Sequence, residues 1–370
     1  MLADEIDNAM RLVRTDAYQM SVGEIVSMYE NKEIIIDPDF QRLFRWNDGQ
    51  KSKLIESMLL GIPLPSIFVF ERENGQWELI DGLQRISTIL EFMGRLRRTD
   101  GTLNPASVLE ATTYLPSLHN VVWERWDNID ISVNEQNPLE KSQQLAIRRG
   151  RLGVEILKRP SDTKTKYDLF QRLNAGGTQA NAQELRNCII IMINRDFFNI
   201  IKLAAEDKIF KEIISVSDDQ FEKQRHMEWA TRFLVHAKIP YNGRLDVEQY
   251  IDEGIKQLAK EGDTNNAKIM IDKTFDLLNR AVGTNALRRL QGESHTGRVG
   301  LVGLEVIAVG IAKNLARIED LGPQKAQEFV KQKIIDFWDQ REVESFAAPG
   351  LRGTLRLQRT VPFGEKWFCP

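Results

Sequence analysis

Three polar clusters in this chain have residue types and spacing suited to handling an anion. The most informative is Asp81-Gly82-Leu83-Gln84-Arg85, which reads as a strand end running into a helix start. Free backbone N–H groups at a helix start favour negative charge, and glycine permits close approach of the backbone. Gln84 and Arg85 add donors that suit phosphate oxygens, while Asp81 has the chemistry of a metal ligand or a base. A plainer reading makes Asp81 the helix N-cap and Arg85 the partner of a nearby acid. An arginine in the first turn opposes the helix dipole, which favours a functional role over capping alone.

The second cluster, Asp37-Pro38-Asp39-Phe40-Gln41-Arg42, continues to Arg45-Trp46 and presents amide, guanidinium and aromatic groups after a short strand. By itself it is equally a surface turn whose Phe40 and Trp46 plug the core. The third runs from Phe170-Gln171-Arg172-Leu173-Asn174-Ala175-Gly176-Gly177-Thr178 to Gln183-Glu184-Leu185-Arg186-Asn187. A helix–loop–helix corner explains its glycines but not the density of Gln183, Glu184, Arg186 and Asn187. No G-x-x-x-x-G-K-[S/T], G-x-S-x-G or H-E-x-x-H pattern occurs, so three common catalytic signatures are absent.

The elements that position these clusters are legible from periodicity and turn chemistry. Ser21 caps a short helix over 22–29, with Glu24 completing a capping box. A β-branched run over 33–36 predicts a strand, and 48–60 a helix stopped by Gly61. Residues 67–80 predict a β-hairpin turning at Asn74-Gly75. Gln84–Phe92 predicts a helix with Ile86, Ile89, Leu90 and Met93 as its apolar face. Residues 1–20 read as a loosely helical lead-in, 153–157 as a strand, 165–173 and 181–194 as helices. From 195 onward the chain reads as almost wholly helical, ending in a Gly- and Pro-containing tail over 347–370.

The chain of 370 residues exceeds one compact core, so two domains are expected, 1–195 and 196–370. The net charge of −3 excludes a global basic footprint; any nucleic-acid contact must be local. Two cysteines and four histidines provide neither a disulfide framework nor zinc-site spacing. No signal peptide or membrane-length apolar run is visible, and a cytoplasmic protein is expected.

Taken together, the ordered motifs resemble the GmrSD N-terminal domain family, related to the ParB and sulfiredoxin fold. The resemblance rests on Phe40-Gln41-Arg42, Arg45-Trp46, Glu56 to Pro65, Asp81 to Arg85, Arg172-Leu173-Asn174, Gly176-Gly177-Thr178 and Gln183 to Asn187. It covers roughly residues 20–240. It implies an α/β (α+β) fold: a ParB/sulfiredoxin-like N-terminal domain with a small mixed sheet, followed by an all-helical C-terminal domain. It also implies a role in bacterial anti-phage defence or modification-dependent restriction, with a D-G-Q-Q-R motif supporting NTP hydrolysis. Carried onto this chain, Asp81, Gln84 and Arg85 are the candidate catalytic residues. Gln41, Arg42, Gly82, Arg172, Asn174, Gly176, Gly177, Gln183, Glu184 and Arg186 are candidates for nucleotide and phosphate binding. Asp81 would also hold Mg²⁺ with the phosphates.

Two departures qualify this. Leu83 stands where the family has a first glutamine, either removing an amide from the site or facing inward. Longer relatives carry a C-terminal nuclease domain whose motif is absent here, so nicking would need the N-terminal fold or a partner protein. The alternatives to a nucleotide-hydrolysing component are a ParB-like DNA nuclease using the same residues, and a non-catalytic DNA- or partner-binding module. The arginine clusters at 95–98, 148–151 and 352–359 would serve that last reading. Nucleotide identity and homo-oligomer formation stay open.

Overall fold

The computed structural model describes residues 14–36, 46–98, 100–129, 131–158, 182–217, 220–221, 224–292, 294–346, 348 and 350–370. The chain divides between Ala180 and Asn181 into two compact units. The sequence reading placed its boundary at 195/196. Helix 182–193 packs against the helices that follow it, which places it in the second unit.

The first unit is built on a five-stranded mixed sheet. Its elements are β1 (Arg14–Ser21), α1 (Val22–Glu30), β2 (Ile34–Ile35), α2 (Asp48–Leu59), β3 (Ile67–Glu71), β4 (Trp77–Asp81), α3 (Leu83–Phe92), α4 (Lys141–Arg149) and β5 (Arg151–Lys158). The strand order is β1-β5-β3-β4-β2. β1–β5 and β3–β4 are antiparallel, whereas β3–β5 and β2–β4 are parallel. β5 lies between β1 and β3 and carries buried Leu152, Val154, Ile156 and Leu157, the near-continuous apolar run expected of a strand covered on both faces. α2 packs against both α3 and α4.

Several predicted elements are present. Ser21 accepts the Glu24 N–H and caps α1. The hairpin β3–β4 turns through Gly75, whose φ of 80° needs glycine. The lead-in does not match its reading as a loosely helical segment: residues 14–21 form strand β1. Its register pairs Arg14 with Lys158 and Ser21 with Arg151, so its conformation depends on a partner far along the chain. The predicted helix 165–173 lies outside the described residues.

The second unit is mainly helical: α5 (Ala182–Ile193), α6 (Arg195–Ala205), α7 (Lys208–Ile214), α8 (Arg225–Lys238), α9 (Val247–Glu261), α10 (Thr264–Val282), then a π-helical stretch Gly303–Ala308, α11 (Val309–Lys313), α12 (Leu315–Glu319), α13 (Pro323–Trp338), α14 (Glu342–Phe346) and α15 (Gly353–Trp367). It is not all-helical as expected: Arg289–Gln291 and Ser294–Thr296 pair as a short antiparallel ribbon around Gly292. Its core includes Phe210, Phe233 and Phe275, with ring centroids 4.5 Å and 5.5 Å apart across the two pairs that share Phe275. The expected tail instead contains α15, with Pro362 inside it. Close packing accounts for this helix: a Cβ at Gly364 would lie 2.4 Å from the Val306 carbonyl oxygen. Among the described residues no helix is long and apolar enough to cross a membrane.

Candidate functional site

The D-G-x-Q-R segment lies at the end of β4 and the start of α3. The β3–β4 register places Val69 opposite Leu79 but Phe68 opposite Asp81. Ile80 is therefore the extra residue of a bulge, and such bulges re-aim the side chain that follows. Gly82 then takes φ 92° and forms the N-cap of α3 without any side-chain cap. A Cβ there would come within 2.3 Å of Ile67 Cγ2, so both backbone angle and space call for glycine. The plainer reading of Asp81 as N-cap thus fails: Gly82 holds that position. Among the described residues, the N–H groups of Leu83, Gln84 and Arg85 have no recorded partner.

The side chains around this helix start are tied to the scaffold in specific ways. Arg85 Nη2 donates to Asp81 Oδ2 at 3.0 Å, and Nη1 donates to the Pro65 carbonyl just before β3. The two side chains are 12% and 27% exposed, a partly sheltered pair at the rim of the sheet. Burial draws the Arg85 pKa below its ordinary value, and the Asp81 carboxylate counters part of that. The guanidinium keeps further donors beyond these two bonds. Gln84 Oε1 accepts the Trp46 N–H at 3.0 Å. Leu83 packs against the hydrophobic core, so the departure from the family pattern at this position falls on a packing contact.

A second layer holds this region. Lys51 on α2 pairs with Glu91 on α3 at 2.9 Å. Asn47 and Gln50 form a capping box at the start of α2. The buried Glu56 accepts the Tyr114 and Leu115 N–H groups, each at 3.2 Å, and the Thr112 hydroxyl. Ser52 accepts the Glu110 N–H at 2.8 Å. The sequence reading quoted Glu56 within a motif but assigned it no role. Its partners are mainly backbone groups more than fifty positions away, which residue types do not reveal.

The third cluster is partly in view, and its described residues belong to the helical unit. Arg186 is 2% exposed on α5 and pairs with Asp252 Oδ1 at 2.6 Å and with Glu248. Glu248 also meets Arg232 at 2.5 Å, and Arg232 meets Glu228 at 3.0 Å. Burial pushes Glu248 up, but the Arg186 and Arg232 guanidiniums outweigh it and hold the carboxyl below its usual range. Gln183 Nε2 donates to Asn187 Oδ1 at 2.8 Å and Thr231 Oγ1 at 3.0 Å. Glu184 lies in the first turn of α5. Arg186 thus balances two carboxylates of its own unit, an arrangement that accounts for its position without a phosphate. Gln41, Arg42, Arg172, Asn174, Gly176 and Gly177 lie outside the described residues.

Among the described residues no group of three or more His, Cys, Asp or Glu is placed to hold a metal ion. Asp81 is the one acidic member of the D-G-x-Q-R segment. A Mg²⁺ there would have to take most of its oxygens from water and phosphate, which is its ordinary preference. A cleft of about 190 Å³ lies in the helical unit, lined by Lys273, Leu277, Arg280, Leu315, Glu319 and Pro323 among others. It contains none of the predicted site residues.

The segment 81–85 falls inside a stretch that a family model matches. Residues 22–191 match the family model of the GmrSD restriction endonuclease, N-terminal domain. This is the family that the ordered motifs resemble, and it associates the matched segment with restriction systems. The match spans all of the first unit's helices and strands after β1 and ends within α5. No curated protein and no solved structure matches the chain.

Proposed function

We propose that the β4–α3 junction binds the phosphates of a nucleoside triphosphate and hydrolyses it as part of a restriction system. The observation that carries this reading is the uncapped start of α3. Three backbone N–H groups lie beside a left-handed glycine, Gln84 and Arg85, and among the described residues no side chain caps them. In a structural cap the Asp81 side chain would fill that role; here it pairs with Arg85 instead.

On this reading the α3 amides and Gln84 cradle phosphate oxygens. Arg85 fixes the Asp81 carboxylate and adds positive charge near the developing anion. Asp81 Oδ1, which has no recorded partner among the described residues, is the atom that would hold Mg²⁺ beside the phosphates. The ion would neutralise phosphate charge when bound. The ParB/sulfiredoxin-like relationship of the first unit, a cytoplasmic location, and DNA or a partner protein as further ligands belong to the same proposal. The matched family's description as a restriction endonuclease domain supports DNA as a ligand.

The test incubates the purified full chain with each NTP and Mg²⁺, with and without DNA, beside Asp81→Asn and Asp81→Ala. Phosphate release that both variants lack supports the reading. DNA cleavage without phosphate release would replace it with a nuclease that uses the same residues. Neither product, with a steeply salt-dependent DNA shift, would leave a binding module.

A further inference from the structure

We propose that Gln84 works with fixed polarity: its amide oxygen anchors the Trp46 backbone, which turns its Nε2 toward the ligand, and the ligand atom that Nε2 meets is an acceptor. This rests on the nucleotide reading for the identity of the ligand, a phosphate oxygen, but not for the anchor itself.

The argument begins with the hydrogen-bond inventory. A backbone N–H can only donate, so the atom of Gln84 that faces Trp46 at 3.0 Å must be the carbonyl oxygen. That contact sets the amide orientation, which side-chain shape alone leaves ambiguous. The NH₂ group then points away from Trp46, and it has no recorded partner among the described residues. Gln84 is the second residue of α3, in the uncapped first turn. A free amide donor there adds to the free backbone donors around it.

Two consequences separate this from a generic catalytic glutamine. A glutamine that orients an attacking water uses its carbonyl oxygen as acceptor. In Gln84 one lone pair of that oxygen is taken by Trp46 and its direction is fixed by that bond, while among the described residues both Nε2 protons are unspent, so the residue is set to bind and position an acceptor. The anchor also couples the site to α2. Trp46 immediately precedes the Asn47 cap, packs against the core of the first unit, and is followed by the Lys51–Glu91 pair at 2.9 Å. The start of α2 is therefore stitched to α3 at two places, one of them inside the D-G-x-Q-R motif.

The experiment uses the full chain and the variants Gln84→Glu and Gln84→Leu. A carboxylate keeps an acceptor for Trp46 but has no donor; leucine has neither. Hydrogen exchange at the Trp46 amide, without nucleotide, reads the anchor, and the β5 amides report whether the fold is intact. Gln84→Leu should exchange Trp46 about tenfold faster while Gln84→Glu stays protected, as expected for loss of one hydrogen bond. Equal protection in both variants, or equal loss in both, overturns the anchor. With ATP and Mg²⁺, Gln84→Glu should raise KM by about tenfold or more, a larger factor than its loss in kcat, because a phosphate acceptor then faces a carboxylate. A fall in kcat with wild-type KM overturns the donor role and assigns the oxygen to water. If the wild type binds no nucleotide, the nucleotide reading fails and the donor role with it. The exchange result then decides the anchor separately.

Discussion

The starts of α3 and α5 carry similar residue types, a Gln followed by an Arg one position later in α3 and three positions later in α5, yet the two regions use them in different ways. At α5, Gln183 is bonded to Asn187 and Thr231, and Arg186 is closed between Asp252 and Glu248. At α3, Arg85 meets one carboxylate and one carbonyl, Gln84 meets one backbone N–H, and the helix has no side-chain cap. The α5 groups are spent largely on one another inside the fold, although among the described residues Arg186 Nη1 and Asn187 Nδ2 stay buried without a hydrogen-bond partner. The α3 groups are held in place by the fold and keep unspent donors at a partly exposed helix start. A polar site open to a ligand differs from a polar core in that its surplus donors lie within a ligand's reach.

The largest effect expected from this contrast is on stability at Arg186. Arg186→Ala leaves Glu248 and Asp252 without their buried partner and should destabilise the full chain by about 3 kcal/mol, read as a lower urea midpoint. A change near zero would break the comparison, because Arg186 would then be as free as the α3 donors. Gly82→Ala comes next. Its new Cβ meets Ile67 at 2.3 Å in a left-handed position, and a loss of about 2 kcal/mol is expected in the same assay.

Acidification should separate the regions further. Burial, reinforced by Lys211 and Lys202, holds His226 down to about 4. Burial, with Arg232 and Arg356 adding, holds His236 down to about 3. The unfolded chain takes up these protons near 6.5, while the folded helical unit resists them. Stability present above 6.5 is therefore lost as the pH falls towards 4. Urea midpoints of the full chain measured across that window should show the decline, and His236→Leu should flatten it. An unchanged slope in that variant would remove His236 from the account. The smallest stability effect belongs to Asp81→Asn, a partly exposed pair at the sheet rim: about 1 kcal/mol or less in urea. Its phosphate release should nevertheless fall by about a hundredfold or more. A variant that keeps turnover would make Asp81 as structural as Arg186.

Legibility varied with the range of the interactions involved. The Asn74-Gly75 hairpin, the Ser21 cap and the helix after Gly82 depend on neighbours within a few positions, and each was readable. Strand β1 was not, because Thr15 to Met20 are extended only by pairing with β5, well over a hundred positions away. Helix α15 was hidden by Gly353, Pro362 and Gly364, of which Gly364 is called for by the backbone of the π-helical stretch at Val306. Within the candidate site, the residue types at 81–85 marked a strand end running into a helix start, and that junction is present. They could not show that Asp81 faces Arg85 instead of capping α3, or that Gln84 holds Trp46.

The amino-acid order alone therefore determined the backbone turn at 81–85, since Gly82 between a strand and a helix start is a local requirement of backbone geometry. The tertiary structure alone decided which polar groups remain available. Whether Gln84, Arg85 or Arg186 has donors to spare depends on the Trp46 N–H, the Pro65 carbonyl, Asp252 and Glu248. Those partners arrive only when distant segments pack, and hydrogen bonds are saturated by proximity in space rather than along the chain.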